Sequence, residues 1–253
     1  MRRTFPTIAL ATLTALAAGS ANAYQTYSGV DGNGFSTRLL ATPNSVAADN
    51  DFRAQLSGVG TETFEDQRVG DTAPLILGFG AAGTATLSGG GGRVAATNAT
   101  SIGFGRYSVP GGTNYWDVTA SAANSFRIAF SQEIAAFGFY GIDIGDFQGT
   151  VQLELVNSAN LVIASLNVPA APAATANGSV LYFGLIASNS SELFQSIRFI
   201  TTGGGGSTTD VFGFDSFTIG TQAQVTPRIP EPGSLALVGV ALLGLSLLRR
   251  RRG

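Results

Sequence analysis

Val151-Gln152-Leu153-Glu154-Leu155-Val156-Asn157-Ser158-Ala159-Asn160-Leu161-Val162-Ile163-Ala164-Ser165-Leu166 is the stretch on which the reading of the fold turns. Val151, Leu153 and Leu155 alternate with Gln152 and Glu154, a period of two that puts apolar side chains on one face of an extended strand and polar ones on the other. Asn157 to Asn160 is a cluster of turn formers, and the apolar run after it returns as a second strand. The segment therefore reads as a β-hairpin.

The same pattern repeats outward in both directions. Phe126, Ile128 and Phe130 alternate with Arg127 and Ala129, and further strands are expected at 61–66, 74–79, 83–88, 101–104, 114–118, 134–142, 179–186, 196–201 and 211–219. Glycine is abundant, at 34 residues, and long helical periodicity is absent after the first 23 residues. Short strands at this spacing predict an all-β domain, a two-sheet β-sandwich of jelly-roll type over residues 59–226. Residues 24–58 are polar, rich in Gly, Asn and Asp and weakly patterned, and are expected to form a loosely structured N-terminal arm. The glycine runs 89–92 and 203–206 read as flexible loops, because neither opens a helix nor is followed by the Lys that a phosphate cradle requires.

Composition removes whole classes of chemistry. The chain has no cysteine and no histidine, so Ser-His-Asp and Cys-His nucleophiles and His/Cys zinc sites are excluded, and carboxylate, Tyr or Arg chemistry and oxygen-ligand metals remain. Residues 24–226 hold seven arginines, no lysine and every acidic residue except Glu231, a net charge of −8. Such a surface repels phosphate backbones, so no nucleic-acid partner is expected, and it suits a secreted protein.

Both ends carry addresses. Arg2 and Arg3, the apolar stretch Ile8 to Ala18 and the small-x-small site Ala21-Asn22-Ala23 make residues 1–23 a secretory signal peptide, with cleavage between Ala23 and Tyr24. The arginine pair lacks the longer n-region of a twin-arginine signal, which favours general secretory export. At the other end Pro227 to Pro232 precede an uncharged apolar run, Gly233 to Leu248, closed by Arg249, Arg250, Arg251 and Arg252. As a helix that run reaches about 24 Å, enough for a single transmembrane helix once arginine stems snorkel and the bilayer thins. The arginines resist translocation and hold the end of the chain at the cytoplasmic face of the inner membrane.

Pro230-Glu231-Pro232, the Gly/Ser step, the Leu-rich helix and the terminal arginines resemble the PEP-CTERM sorting signal of Gram-negative bacteria. The resemblance covers residues 227–253 and implies processing near Pro230, Glu231 and Pro232 by an exosortase-type membrane enzyme. It also implies a transient inner-membrane anchor, then the cell surface or extracellular matrix, and association with exopolysaccharide and biofilm.

Within the body, Thr63-Phe64-Glu65-Asp66 near the start and Phe212-Gly213-Phe214-Asp215-Ser216-Phe217 near the end resemble the first and last strands of carbohydrate-binding jelly rolls. There a carboxylate from each strand meets a structural calcium ion. No cofactor is required by the sequence itself; the resemblance makes calcium the possible one, with Glu65 and Asp215 as its ligands and Asp66, Asp71 and Asp210 nearby. The alternative is that Glu65 and Asp215 are solvated edge residues or strand caps. Asp143 and Asp146 lie in a second acidic cluster that reads as turn chemistry. Tyr107, Tyr115 and Trp116 are the candidates for sugar stacking, with a place in the core as their alternative. No carboxylate spacing singles out a glycosidase pair. The expectation is a non-enzymatic surface or matrix protein, with a carboxylate-dependent polysaccharide hydrolase or a membrane-anchored structural adhesin as alternatives.

Overall fold

The computed structural model describes residues 24–97, 105–109, 111–119, 126–145, 149–203 and 211–226. The expected signal peptide, the strand at 101–104, Asp146, Asp210 and the sorting tail 227–253 with its helix lie outside the described residues. Among the described residues no helix is long and apolar enough to cross a membrane.

The strands run in the order β1 (Gln25–Asp31), β2 (Thr61–Glu62), β3 (Leu75–Gly78), β4 (Thr84–Ser88), β5 (Arg93–Ala96), β6 (Asn114–Thr119), β7 (Arg127–Ile134), β8 (Ala136–Ile142), β9 (Gly149–Val156), β10 (Val162–Val168), β11 (Val180–Ile186), β12 (Phe194–Gly203) and β13 (Val211–Gly220). A single α-helix among the described residues, α1 (Pro43–Arg53), follows β1. Sheet I has the order β1-β11-β8-β13-β6-β5, with β2 paired on β13, and sheet II the order β10-β9-β12-β7-β4-β3. Every pairing between these strands is antiparallel. From β6 to β9 successive strands alternate between the sheets, β10 stays beside β9, and β11 to β13 alternate again. The halves β6-β13-β8-β11 and β7-β12-β9-β10 therefore carry the interleaved Greek-key wiring of a jelly roll.

Aromatic rings fill the space between the sheets. Phe139 lies at the centre, with Phe137, Phe183, Phe199, Phe214 and Phe217 at centroid distances of 5.4–6.4 Å. Most of these pairs meet edge-on or tilted, as ring quadrupoles favour. The Val151–Leu166 hairpin is β9 and β10, and Val151, Leu153 and Leu155 point into this core. On the outer face of sheet II, Gln152 and Glu154 are half-buried, and Arg198 pairs with Glu154 across the strands at 3.5 Å.

Sheet I has a second cover. Residues 24–58 are not a loose arm, a correction to the sequence reading: β1 pairs with β11 over seven positions, and α1 lies across β1, β11 and β8. The shelf for the helix is made by close approach. Gly184 and Gly138 are direct partners on β11 and β8, and a Cβ on Gly184 would stand 2.6 Å from the Phe52 ring. Phe52, fully buried, occupies the space those missing side chains leave, with Tyr27 and Tyr182 against it. The helix start is fixed from outside the helix. Thr42 makes no side-chain cap, whereas the Asp31 carboxylate at the end of β1 accepts from Asn44 N (3.1 Å) and Ser45 N (2.8 Å) and from the Ser45 hydroxyl. The weak patterning that suggested an arm has a local cause. The buried positions of α1 are Ser45, Ala48, Asp49 and Phe52, helical in spacing, but only Phe52 is a large apolar residue.

Candidate functional site

The two acidic candidates converge on one loop. The expected strand 61–66 ends at Glu62, because Phe64 adopts φ 62° while the Glu62 carboxylate accepts from its backbone N–H at 2.7 Å. That turn releases Glu65 toward the loop before β6. Glu65 Oε1 accepts from Thr113 N and Asn114 N, both at 2.8 Å, and Oε2 accepts from Thr113 Oγ1 at 3.2 Å. Gly112, at φ 85°, leaves the room: a Cβ there would overlap the Glu65 carboxylate.

Asp215 holds the same loop from beneath. It sits on β13 where the register with β8 breaks between Asp215 and Thr218, and Ser216 beside it has φ 51°. Its side chain is 1% exposed. Oδ2 accepts from Val109 N and Ser108 Oγ at 2.9 Å, and Oδ1 accepts from Ser216 N at 2.6 Å. Burial raises the Asp215 carboxyl well above the usual carboxylate range; donors at Ser108, Val109 and Ser216 pull the other way, and the charge of Glu65 adds to the rise. Ser108 Oγ also lies 2.6 Å from the Gly111 carbonyl, and its single proton can serve only one of these two acceptors.

Calcium is a poor match for this pair. N–H and O–H groups already aim their positive ends at the carboxylate oxygens, which leaves few lone pairs for a hard cation. Asp66 is exposed and Asp71 sits in a turn bonded to Arg68 and Val94. Among the described residues no group of three or more carboxylates gathers. Glu65 and Asp215 act as a clamp on the loop 108–114. Asp143, nearly fully buried at φ 67°, likewise serves its turn, accepting from Gly178 N at 2.7 Å.

The stacking candidates are inside, and this corrects the sequence reading. Tyr107 is fully buried; it donates to the Gly178 carbonyl at 2.8 Å, accepts from Leu39 N at 3.1 Å, and lies beneath the Arg38 guanidinium. Trp116 is stacked on Phe64 in the main core, with Gly92 against its indole, and Tyr115 packs over Gly213. None of the three rings offers an open face to a sugar. Beside them lies a buried ion pair that no sequence pattern announced: Arg106 Nε donates to Asp117 Oδ1 at 2.6 Å, and Arg93 reaches Oδ2 of the same residue at 3.4 Å. Period-two alternation placed Asp117 on the face opposite Trp116, but gave no sign that this face too is covered.

Two surface clefts lie among the described residues. One, of about 390 Å³, is lined by uncharged residues throughout, including Gln25, Ser188, Asn189, Gln222 and Thr226. The other, of about 560 Å³, runs between β1 and α1 and includes a single acid, Asp51.

The chain carries a PEP-CTERM protein-sorting motif over residues 228–252. No curated protein matches it. Among solved structures it is similar to the K2 cleaved adhesin domain of Lys-gingipain (Kgp), with 12% identity over 64% of this chain and 97% of that one and a TM-score of 0.38. It is also similar to a DUF4465 family protein from Bacteroides ovatus ATCC 8483, with 11% identity over 78% of this chain and 98% of that one and a TM-score of 0.31.

Proposed function

We propose that this is an exported, non-enzymatic surface or matrix protein, delivered by its C-terminal signal and associating with extracellular polysaccharide through its β-sandwich. The observation that carries the reading is the sorting motif at residues 228–252, which implies export, a transient membrane anchor and processing by an exosortase. In this reading the enzyme cuts near Pro230-Glu231-Pro232 and parts the domain from the helix and its arginines. The acidic body supports an extracellular role, and the absence of histidine and cysteine removes Ser-His-Asp and Cys-His nucleophiles. The two clefts weigh against the hydrolase alternative, since neither brings two carboxylates to face a substrate. With Tyr107, Tyr115 and Trp116 buried, polysaccharide contact falls to polar side chains on the outer surface.

Deleting residues 227–253 tests the sorting half: the truncated protein should fold but lose its destination, and an unchanged distribution between membrane, surface and medium would refute it. Incubating the processed protein with host exopolysaccharide tests the other half. Co-sedimentation without new reducing ends is expected; released reducing ends would establish the hydrolase instead. Retention of the arginine block on the mature protein would favour the anchored adhesin.

A further inference from the structure

Both ends of the folded domain leave from the same place. Gln25, the first residue of β1, and Thr226, the last described residue, line the same cleft of about 390 Å³. The exit of the C-terminus is fastened there: Thr226 N donates to the Gln55 carbonyl, Ser57 N to the Gln224 carbonyl, and Leu56 bridges to Val225. On the other side Gln25 is paired with Ile186, and Ala187 N donates to Ala135. This end of the sandwich therefore presents the two points where the chain continues toward apolar segments: Ile8 to Ala18 before it and Gly233 to Leu248 after it.

The tether is short. Pro230 lies four positions after Thr226 and Gly233 seven positions after it, so a fully extended chain spans at most about 14 Å and about 25 Å respectively. A domain anchored by that helix cannot stand far from the bilayer, and the end that carries Thr226 must face it. The chemistry of that end is suited to the position. The body carries a net charge of −8, yet the cleft lining contains no charged residue. Glu192, adjacent to it, is 1% exposed, and its carboxylate is turned onto Ser188 N and the Asn189 amide. Glu133, exposed, is a carboxylate on the sheet II side of the same end, outside the cleft, where Ser158 Oγ donates to it. The uncharged amide- and hydroxyl-bearing cleft lining avoids the repulsion by anionic headgroups that an acidic lining would meet.

We propose that the end of the domain with this uncharged cleft, where Gln25 and Thr226 leave the domain side by side, rests on the lipid headgroup surface while the C-terminal helix anchors the chain. The proposal depends on the anchoring role given to the tail above. Because the chain contains no cysteine, single introduced cysteines can be labelled uniquely. The full-length chain would be reconstituted into vesicles of phosphatidylethanolamine and phosphatidylglycerol bearing a headgroup-attached quencher. One fluorophore sits at Gln222→Cys in the cleft and another at Thr175→Cys, both exposed positions. Thr175 is at the opposite end, beyond the seven residues of β11, or about 20 Å of strand. Ala223→Cys and Ser36→Cys form a second pair, also exposed, should either first label perturb its surroundings.

The chain should float with the vesicles, and quenching at 222 and 223 should exceed that at 175 and 36 several-fold. Flotation with equal quenching at both ends would overturn this inference and leave the anchor standing. Failure to float would overturn the anchor itself, and this inference with it.

Discussion

Sheet II and sheet I are built from the same kind of strand and live in different surroundings. On sheet II, β9 alternates buried Val151, Leu153 and Leu155 with half-buried Gln152 and Glu154, because one face meets the core and the other meets water. On sheet I, every residue of β8 and β11 is buried, and so is all of β13 after Val211. One face of sheet I packs on the aromatic core; α1 and the loop 105–109 cover the other, forming a second cluster around Phe52, Tyr107, Tyr140 and Tyr182. The difference teaches where alternation can be trusted. A period of two records one wet face, and a strand covered on both sides loses it.

Five changes would break or sharpen this contrast. Phe139→Ala removes the ring at the centre of the layer that both sheets share and should cost about 3–5 kcal/mol, read as a large drop in melting temperature. Loss under about 1 kcal/mol would mean that the inter-sheet layer is not the main source of stability. Next comes the layer that only sheet I possesses. Gly184→Ala drives a methyl into the buried Phe52 ring and should destabilise by about 1–3 kcal/mol, with faster hydrogen exchange confined to α1 and β1. Gln152→Ala, on the solvent face of sheet II, should stay within about 0.5 kcal/mol of the parent. Equal effects of these two substitutions would erase the distinction between the sheets.

Asp215 supplies a pH signature that belongs to sheet I alone. Its folded pKa lies above its unfolded value, so the folded state binds more protons wherever the pH lies between the two. Its contribution is complete below the ordinary aspartate range, near pH 4, and declines as pH rises toward the folded value, with a slope of up to about 1.4 kcal/mol per pH unit for one proton. Subtracting the stability profile of Asp215→Asn from that of the parent should reveal this decline. A flat difference would show that the clamp does not hold a protonated carboxyl. A modest effect concerns the helix start: Asp31→Ala should cost about 1 kcal/mol, since two backbone donors of α1 lose their acceptor. No change on urea unfolding would mean that Thr42 or water replaces it.

The site was legible only in part. Glu65 and Asp215 were singled out from short motifs around phenylalanines, and the fold does bring them to one loop. Their partners were not readable, because three of the donors at 108–114 are backbone N–H groups, which every residue except proline carries, and the other two are Ser and Thr hydroxyls like many others in the chain. Tyr107, Tyr115 and Trp116 were recognisable as large aromatics, yet a ring in a strand looks alike in sequence whether its neighbour is water or Phe64. The helix α1 escaped notice because the Gly184 and Gly138 shelf that receives its Phe52 ring lies more than 80 residues away.

By itself the sequence determined the C-terminal sorting motif, the all-β class, the β9–β10 hairpin and the exclusion of histidine and cysteine chemistry. Each of these follows from local spacing, charge or the presence of a residue type. Only the tertiary structure decided that residues 24–58 cover sheet I, that the aromatic candidates are core, that two carboxylates clamp one loop, and that Gln25 and Thr226 leave the domain together. These are contacts between distant segments. Local sequence tells which faces are apolar, but the packing of the whole chain chooses what comes to lie against them.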